Sequence, residues 1–584
     1  MPENKINNIR HSLSHLLAMV VLKKFPQAKL GIGPTITNGF YYDFLLPQKI
    51  AAEDLLSLEK EMKKLIKQKI DFKKTALPRS QALEKVKKEK QNFKIELIDD
   101  LPDGEEISFY ESGDFSDLCR GPHVENTSEI NPDAFKLTDL AGAYWRGSEK
   151  NQMLTRIYGV AFTTEKELTA HLKMMEEAKK RDHRQLGKEM DLFSFSELVG
   201  SGLPLWTPKG TIIRQELDDF VWQLRKKYNY QKVSIPHITK KDLYQVSGHW
   251  EKFKDELFKI KTRENHELAI KPMNCPHHTQ IYAHLPRSYR DLPQRYAETT
   301  MVYRDEQTGE LAGLSRVRCI TQDDAHAFCR YSQVKEEMIK IIAIVNSFYQ
   351  PFDFDLKVRL SLHDPKDFDK YIGQPKTWQK MEKQLKELLQ EQKIKHEEAL
   401  GEAAMYGPKI DFMANDSLGR EWQLATIQLD YNMPERFQLA CTNEKGQEEP
   451  VAMLHAAITG SIERFISILI EHLAGNFPVW LAPIQIKILT VSENHTKFAE
   501  ELKQEFEQYN LRVEIDNSAE TLGNKIRKNS REKIPYTLVI GDKEMSSKNL
   551  AVRVRDQKQL LNLSRKDFIN QITKNINERK LNLI

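Results

Sequence analysis

No stretch of this sequence is apolar for anything near the roughly 20 residues that a membrane-crossing helix needs, so a membrane span is not expected. The N-terminus, MPENKINNIRHSLSHLLA, lacks the basic segment and apolar run of a secretory signal. Cysteine is scarce. The five residues (Cys119, Cys275, Cys319, Cys329, Cys441) are odd in number and far apart, which excludes a disulfide framework. A reducing compartment, the cytoplasm, is the expectation, with any cysteine serving as a metal ligand or a buried small side chain. Missing too are a G-x4-GK-[ST] loop and a strand-flanked G-x-G-x-x-G, so nothing supports a Walker or Rossmann nucleotide site. KEMSSK (543–548) imitates the KMSKS loop of class I synthetases, but no HIGH-like partner accompanies it. Charge of one sign is also short overall, since the net value is only +4. Its distribution is uneven. Between 521 and 555 nine bases (Lys525, Arg527, Lys528, Arg531, Lys533, Lys543, Lys548, Arg553, Arg555) face three acids (Glu532, Asp542, Glu544). That is either a nucleic-acid surface or a solvated face.

What is present is a long, ordinary globular composition, too long for one core and expected to form about three or four domains. Residues 1–160 open with a helical pattern (Ile9, Leu13, Leu16, Leu17, Val20) and continue as mixed α+β. Residues 161–190 read as one charge-rich connecting helix, capped by Thr163 or Thr164 with glutamate in its first turn. From 191 to 480, strand-like stretches such as TTMVYRDE and EWQLATIQLDY alternate irregularly with helices, which favours an antiparallel sheet over a doubly wound fold. Beyond the proline-punctuated PVWLAPIQ, residues 481–584 read as a small α/β domain with a parallel-leaning sheet.

Four constellations carry possible chemistry. In KPMNCPHH (271–278), Cys275 stands beside His277 and His278 in a loop bounded by prolines. These three are too close in sequence for an ordinary tetrahedral set. A metal there would draw distant ligands, with His326 and His455 as candidates, 51 and a further 129 residues on. His11 and His15 are an i, i+4 pair that shares a helix face, and Cys119 and His123 repeat the step. Ser12 stands where a zinc protease would have its glutamate, so HSLSH is not HExxH. VYRDEQ sets Arg304 and Glu306 two apart on a strand end, able to address one ligand: arginine a phosphate, glutamate a base amine or metal. GSIERF puts Arg464 on a helix beginning near Gly460. For each lone arginine a surface salt bridge is the alternative.

Together these stretches resemble the threonyl-tRNA synthetase family of class II aminoacyl-tRNA synthetases. KPMNCPHH, YRDE…GLSRVRCITQDDAHAFC, GEAAMYGPKIDF, IQLDYNMPERF, LHAAITGSIERF and PVWLAPIQ are similar to its catalytic-core signatures in order, and HSLSHLLA, DLCRGPHV and GAYWRG to its editing domain. The resemblance implies a multidomain α+β protein: an α+β editing domain, a class II antiparallel-sheet catalytic core and an α/β anticodon-binding domain. It implies one Zn2+ per subunit on Cys275, His326 and His455, with His277 and His278 not ligands, and Mg2+ with ATP.

The implied logic is physical. Threonine and valine are nearly isosteric, and a site that binds the hydroxyl rejects valine because polar groups are left unpaired. Gln322, Asp324, Tyr406 and Gln428 match amino-acid positions, with Asp324 accepting from the hydroxyl. Arg304 matches the arginine on the α-phosphate and carboxylate, Glu306 the reader of the adenine amine, and Arg464 the arginine on the γ-phosphate. Serine also carries a hydroxyl, so His11, His15, Cys119 and His123, with Asp117 and Lys94, match a pocket that hydrolyses serine from mischarged tRNA with water. Arg527, Glu544 and Arg553 match anticodon-binding positions. Implied partners are tRNA(Thr), ATP, L-threonine and a second copy, because 210–238 resembles the family's dimer-forming motif 1. Some positions depart: Leu424 and Ala425 replace a cysteine and a small residue, Ala456 an arginine, Ser518 and Ala519 a polar pair, and Lys533 an arginine. With ten residues before His11, the ubiquitin-like domain many members carry is expected to be absent.

Overall fold

Apolar residues recurring every three or four positions near the N-terminus form the helix Glu3–Lys24, whose inward face (Ile9, Leu13, Leu16, Leu17, Val20) is buried. The computed structural model describes residues 3–584 apart from 103, 149, 417 and 418. The chain divides into two compact units, the first ending at Glu176 and the second beginning at Glu177.

In the first unit the helix packs with Ala52–Lys67 on a five-stranded antiparallel sheet, in which Gly39–Leu45, Met153–Ala161 and Phe135–Tyr144 are neighbours. A second, three-stranded sheet joins Lys73–Leu77, Ile107–Ser112 and Phe115–Leu118. The expected connecting helix is two helices, Glu165–Arg181 and His183–Glu189. Asp182 breaks it: its backbone leaves the helical region and its carboxylate accepts from Arg184 N–H as a new N-cap. The start is a capping box, with Thr164 Oγ1 accepting from Glu167 N–H (3.2 Å) and Glu167 Oε2 accepting from Thr164 N–H (3.1 Å).

The second unit is built on a nine-stranded sheet. Its order is Gln231–Lys232, Gln294–Tyr303, Cys319–Arg330, Glu448–Ser461, Glu421–Asp430, Lys409–Asn415, Lys357–Leu362 and His396–Leu400, with Ala440–Thr442 paired to Glu448–Ser461. All pairings are antiparallel except the outermost at each end. One face carries the largest apolar core, against the helices Pro208–Lys226, Val334–Tyr349, Pro375–Glu391 and Ile462–His472. The long helix Pro208–Lys226 has proline in its first turn, where no N–H is needed, and Thr207 as N-cap to Gly210 N–H (3.2 Å). Beyond Pro478, three parallel strands (Val513–Asp516, Ile486–Thr490, Tyr536–Ile540) continue into two antiparallel ones (Asn549–Val554, Leu560–Ser564).

Candidate functional site

Strand register builds the main site. Gln428, His455 and His326 are direct cross-strand partners on three adjacent strands, so their side chains form one row on one face. Cys275 meets this row from the helix Cys275–Ala283; the expected loop is helical from Cys275 on, with Pro276 in the first turn. The ligand atoms of Cys275, His326 and His455 all lie within 4.8 Å of one another, and all three residues are buried.

Both imidazoles are oriented from behind. His455 Nε2 bonds Asp430 Oδ2 (2.9 Å), and His326 Nδ1 bonds His278 Nδ1 (2.7 Å). This leaves His326 Nε2 and His455 Nδ1 facing each other at 3.0 Å. With their far nitrogens engaged, the two rings turn their near nitrogens toward the gap, the arrangement metal-binding histidines adopt. Burial keeps His326 well below the usual imidazole range and, with Asp324 and Asp430, holds the Cys275 thiol well above its own. A bound cation reverses the second effect. The donor set, one sulfur and two imidazoles, fits zinc with a coordination position left open.

A cavity of ≈ 320 Å³ opens on this row. It brings together Cys275, His326 and His455 with Gln322, Asp324, Tyr406, Gln428, Arg304 and Arg464. Tyr406 stacks on the His455 ring (centroids 4.5 Å) and donates to Gln428 Oε1 (2.5 Å). Asp324 accepts from Asn274 Nδ2 (3.0 Å). Arg464 lies at the start of the helix Ile462–His472, capped by Ser461, with Nε donating to Ser315 O (3.1 Å). Burial, then the charges of Arg304 and Arg316, lower its affinity for its proton, so cationic charge is concentrated here. The buried Nε of Arg304 has no hydrogen-bond partner among the described residues. Such a group is costly unless a ligand or water meets it, and an anion would.

Arg304 and Glu306 correct the reading from strand alternation. The strand ends at Tyr303, and Glu306 N–H bonds Arg304 O (2.9 Å) in a tight turn. Glu306 does not line the cavity; its carboxylate is held by Arg316 Nε (2.8 Å). Lys409 and Leu424 do line it, Lys409 donating to Gln423 Oε1 (3.2 Å) and pairing with Asp411 (3.0 Å). Sequence reasoning missed Asp430, Lys409 and the supporting role of His278. Asp430 was findable, because Thr426, Gln428 and Asp430 alternate on one strand and share a face.

In the first unit, His11, His15, Cys119 and His123 bring their ligand atoms within 4.8 Å of one another. Cys119 Sγ is 3.3 Å from both His11 Nε2 and His123 Nε2. Cys119 and His123 come from a loop after the strand Phe115–Leu118, so their four-residue step is not helical. Beside them Lys94 Nζ pairs with Asp117 Oδ1 (2.7 Å) and donates to Tyr42 Oη (3.1 Å), and Tyr42 donates to Asp117. Burial lowers His11, His15 and His123 and raises the Cys119 thiol to about 11. At neutral pH the pocket therefore holds neutral imidazoles and an unreactive thiol, which suits water rather than sulfur as a nucleophile. Ser12 and Tyr42 are members the sequence did not reveal; Ser12 Oγ lies 3.2 Å from His123 Nδ1. A third gathering, Asp182, His183 and Glu471, is structural: His183 Nδ1 bonds Glu471 (2.8 Å) and its Nε2 accepts from Leu314 N–H (3.1 Å).

The terminal basic cluster is smaller than its composition suggests. Lys525 points inward to Thr490 O (2.9 Å) and Asp516 O (3.2 Å), and Arg555 to Lys533 O (2.6 Å) and Phe477 O (2.9 Å). Burial lowers Arg555 to about 10. Arg527 is exposed on the helix Leu522–Arg531 and Arg553 lies on the strand Asn549–Val554, while the Glu544 carboxylate accepts from Gly541 N–H (3.1 Å). Lys533 lines a small cleft with Met190, Phe477 and Ile534.

Comparison with known proteins gives a consistent picture. Residues 258–473 match the tRNA synthetase class II core domain (G, H, P, S and T), 481–575 the anticodon binding domain, and 107–158 the threonyl and alanyl tRNA synthetase second additional domain. The chain is 50% identical to a threonine–tRNA ligase of Azobacteroides pseudotrichonymphae over 93% of its length and 84% of the relative's. A threonine–tRNA ligase of Gloeobacter violaceus is 47% identical, with 94% and 89% covered. Among solved structures, the RNA binding domain of threonyl-tRNA synthetase from Cryptosporidium parvum is similar at a TM-score of 0.64 and 33% identity, covering 69% of this chain and 99% of that one.

Proposed function

This chain belongs to the threonine–tRNA ligase family, and from that premise we propose how its residues divide the work. It activates threonine with ATP, transfers it to the 3′ end of tRNA(Thr), and hydrolyses mischarged seryl-tRNA(Thr) at a separate N-terminal site. We assign 1–160 to editing, 161–190 to the connection, 191–480 to catalysis and 481–584 to anticodon binding. One observation carries the site assignment: a buried sulfur and two imidazoles converge in the same cavity as two arginines.

Cys275, His326 and His455 would hold one zinc ion per subunit, which when bound supplies open positions for the amino and hydroxyl groups of threonine. Asp324 accepts from the hydroxyl, and Asn274 keeps its carboxylate aimed. Gln322, Tyr406 and Gln428 fix the amino acid in the row. Arg304 grips the α-phosphate and carboxylate, Arg464 the γ-phosphate, and Glu306 the adenine amine; ATP arrives with Mg2+. Catalysis is positioning plus neutralisation of developing charge. Lys94 and Asp117 order the editing pocket around His11, His15, Cys119 and His123. Arg527, Glu544 and Arg553 meet anticodon bases.

We place the protein in the cytoplasm as a homodimer. Phe195, Leu198, Val199 and Leu205 stand exposed just ahead of the helix Pro208–Lys226, a cluster that a second copy would cover. Light scattering at micromolar concentration should give twice the chain mass. For the site, the test is ATP–pyrophosphate exchange across the amino acids before and after zinc removal. Exchange with threonine, weaker with serine, absent with valine, and lost with zinc is the expected result. Threonine exchange that survives full zinc removal would sink the assignment.

A further inference from the structure

One buried arginine has a place in the catalytic unit that none of the roles above uses. Arg225 closes the helix Pro208–Lys226 and is 3% exposed. Its Nη2 donates to Asp323 O (2.7 Å), Asp323 Oδ2 (3.1 Å) and Ala456 O (3.2 Å). Asp323 is fully buried and accepts in turn from Ile458 N–H (2.8 Å), Thr459 N–H (2.9 Å) and Thr459 Oγ1–H (2.6 Å). Arginine, carboxylate and two backbone amides thus form one network behind the sheet, against the apolar core.

Its position in the register gives it meaning. Along Cys319–Arg330 and Glu448–Ser461, His326 faces His455, Ala325 faces Ala456 and Asp324 faces Ala457. The next pair is Gln322 with Ser461, so 458–460 bulge out opposite the single residue Asp323. The Asp323 carboxylate caps the amides that this bulge frees. Gly460 completes it with φ 66°, where a Cβ would lie 2.6 Å from Leu424 O. On one side of the bulge stands the row that meets threonine; on the other stands Ser461, which caps the helix bearing Arg464. The bulge therefore sets the spacing between the amino-acid row and the phosphate arginine. Asp323 alone cannot hold it. A buried carboxylate without a countercharge is strongly disfavoured, and Arg225 supplies that charge while also pinning the Ala456 carbonyl on the second strand.

We propose that Arg225 is a positioning residue for threonine activation: through Asp323 and Ala456 O it fixes the bulge that sets how far Arg464 stands from the amino-acid row. The inference rests on the division of roles above but not on the identity of the metal. In-line attack of the carboxylate on the α-phosphate depends on that spacing more steeply than binding of either substrate does, because reactivity falls off over about an ångström.

The experiment uses the full chain as Arg225→Met and Arg225→Lys. It reads kcat and the KM values for threonine and ATP in pyrophosphate exchange, bound zinc, and deacylation of seryl-tRNA as a control in the other unit. Arg225→Met should lower kcat at least tenfold with both KM values and zinc stoichiometry within twofold. Arg225→Lys, which keeps the charge but spans fewer acceptors, should recover part of the loss. A kcat per folded molecule within twofold of wild type overturns the proposal, as does a loss confined to KM or zinc content. Should Arg225→Met not fold, Arg225→Lys carries the same reading: a lower kcat at constant KM supports it, and activity that only tracks the folded fraction overturns it. Wild-type exchange that survives zinc removal defeats the zinc assignment instead, and the kcat split still reports on the bulge.

Discussion

His455 is held at both ring nitrogens, and the residue that holds the far one does not line the cavity. Asp430 Oδ2 accepts from Nε2, while Asp430 Oδ1 accepts from the N–H groups of Asn432 and Met433 (both 2.8 Å). Asp430→Asn keeps an oxygen for the turn but removes the charge that orients the ring. Outer partners of this kind are worth about 10–100-fold in metal affinity. With zinc on Cys275, His326 and His455 as proposed, it should leave Asp430→Asn about that much more readily in a chelator competition, with the far-ultraviolet spectrum unchanged. In the other pocket, Lys94 and Asp117 are both nearly inaccessible. Lys94→Met leaves the buried Asp117 carboxylate with the Tyr42 hydroxyl and, at 4.0 Å, His15 Nε2, and losing the charged partner of such a group costs about 3–5 kcal/mol. Seryl-tRNA deacylation should fall at least tenfold, and threonine-dependent pyrophosphate exchange should stay within twofold.

At the scale of elements, the helix Glu3–Lys24 carries a pH dependence. His11 and His15, with His123 against them, are all pushed by burial below the value of about 6.5 they have in an unfolded chain. Below that pH the unfolded chain binds protons the fold refuses. Stability is therefore intact above about 6.5 and lost as pH falls toward the folded values, by up to about 1.4 kcal/mol per pH unit for each imidazole. Hydrogen exchange on the intact protein, corrected for intrinsic rates, should show protection over 9–20 dropping between pH 7 and 5. Elements are also where the sequence was most and least legible. The i, i+4 step put His11 and His15 together, and strand alternation would have put Asp430 beside Gln428 had it been applied there, because both periods are local. Convergence of Cys275, His326 and His455 is a property of sheet order, which residue spacing does not encode; only resemblance to a family supplied it. Arg304 and Glu306 misled because a strand's last residue is set by its partner's length. Lys525 and Arg555 misled because charge counts are blind to direction.

For the molecule as a whole, the decisive element is the helix Pro208–Lys226, which serves two masters. One face reaches the catalytic sheet through Arg214 to Thr321 (2.7 Å), through Asp218 to Thr299, and through Arg225 to Asp323. Another face, at seven-residue steps, reaches the C-terminal domain: Lys209 to Glu532 (3.4 Å), Glu216 to Arg512, and Gln223 to Arg579. Arg512 is the centre of that seam, since it also donates to Trp480 O (2.6 Å) and Ala482 O (3.0 Å). Arg512→Ala leaves the Trp480 and Ala482 carbonyls without this donor, at about 1–3 kcal/mol for each where it is buried, and releases the half-buried Glu216 carboxylate. The catalytic sheet does not depend on this seam, so pyrophosphate exchange, which needs no tRNA, should stay within twofold of wild type. Transfer to tRNA does depend on it, because the anticodon and the 3′ end must be held by two domains in fixed relation. Aminoacylation kcat/KM should therefore fall at least tenfold in the same variant. If both activities fall together, the helix transmits disorder into the sheet, and the two faces are one mechanical unit rather than two independent contacts.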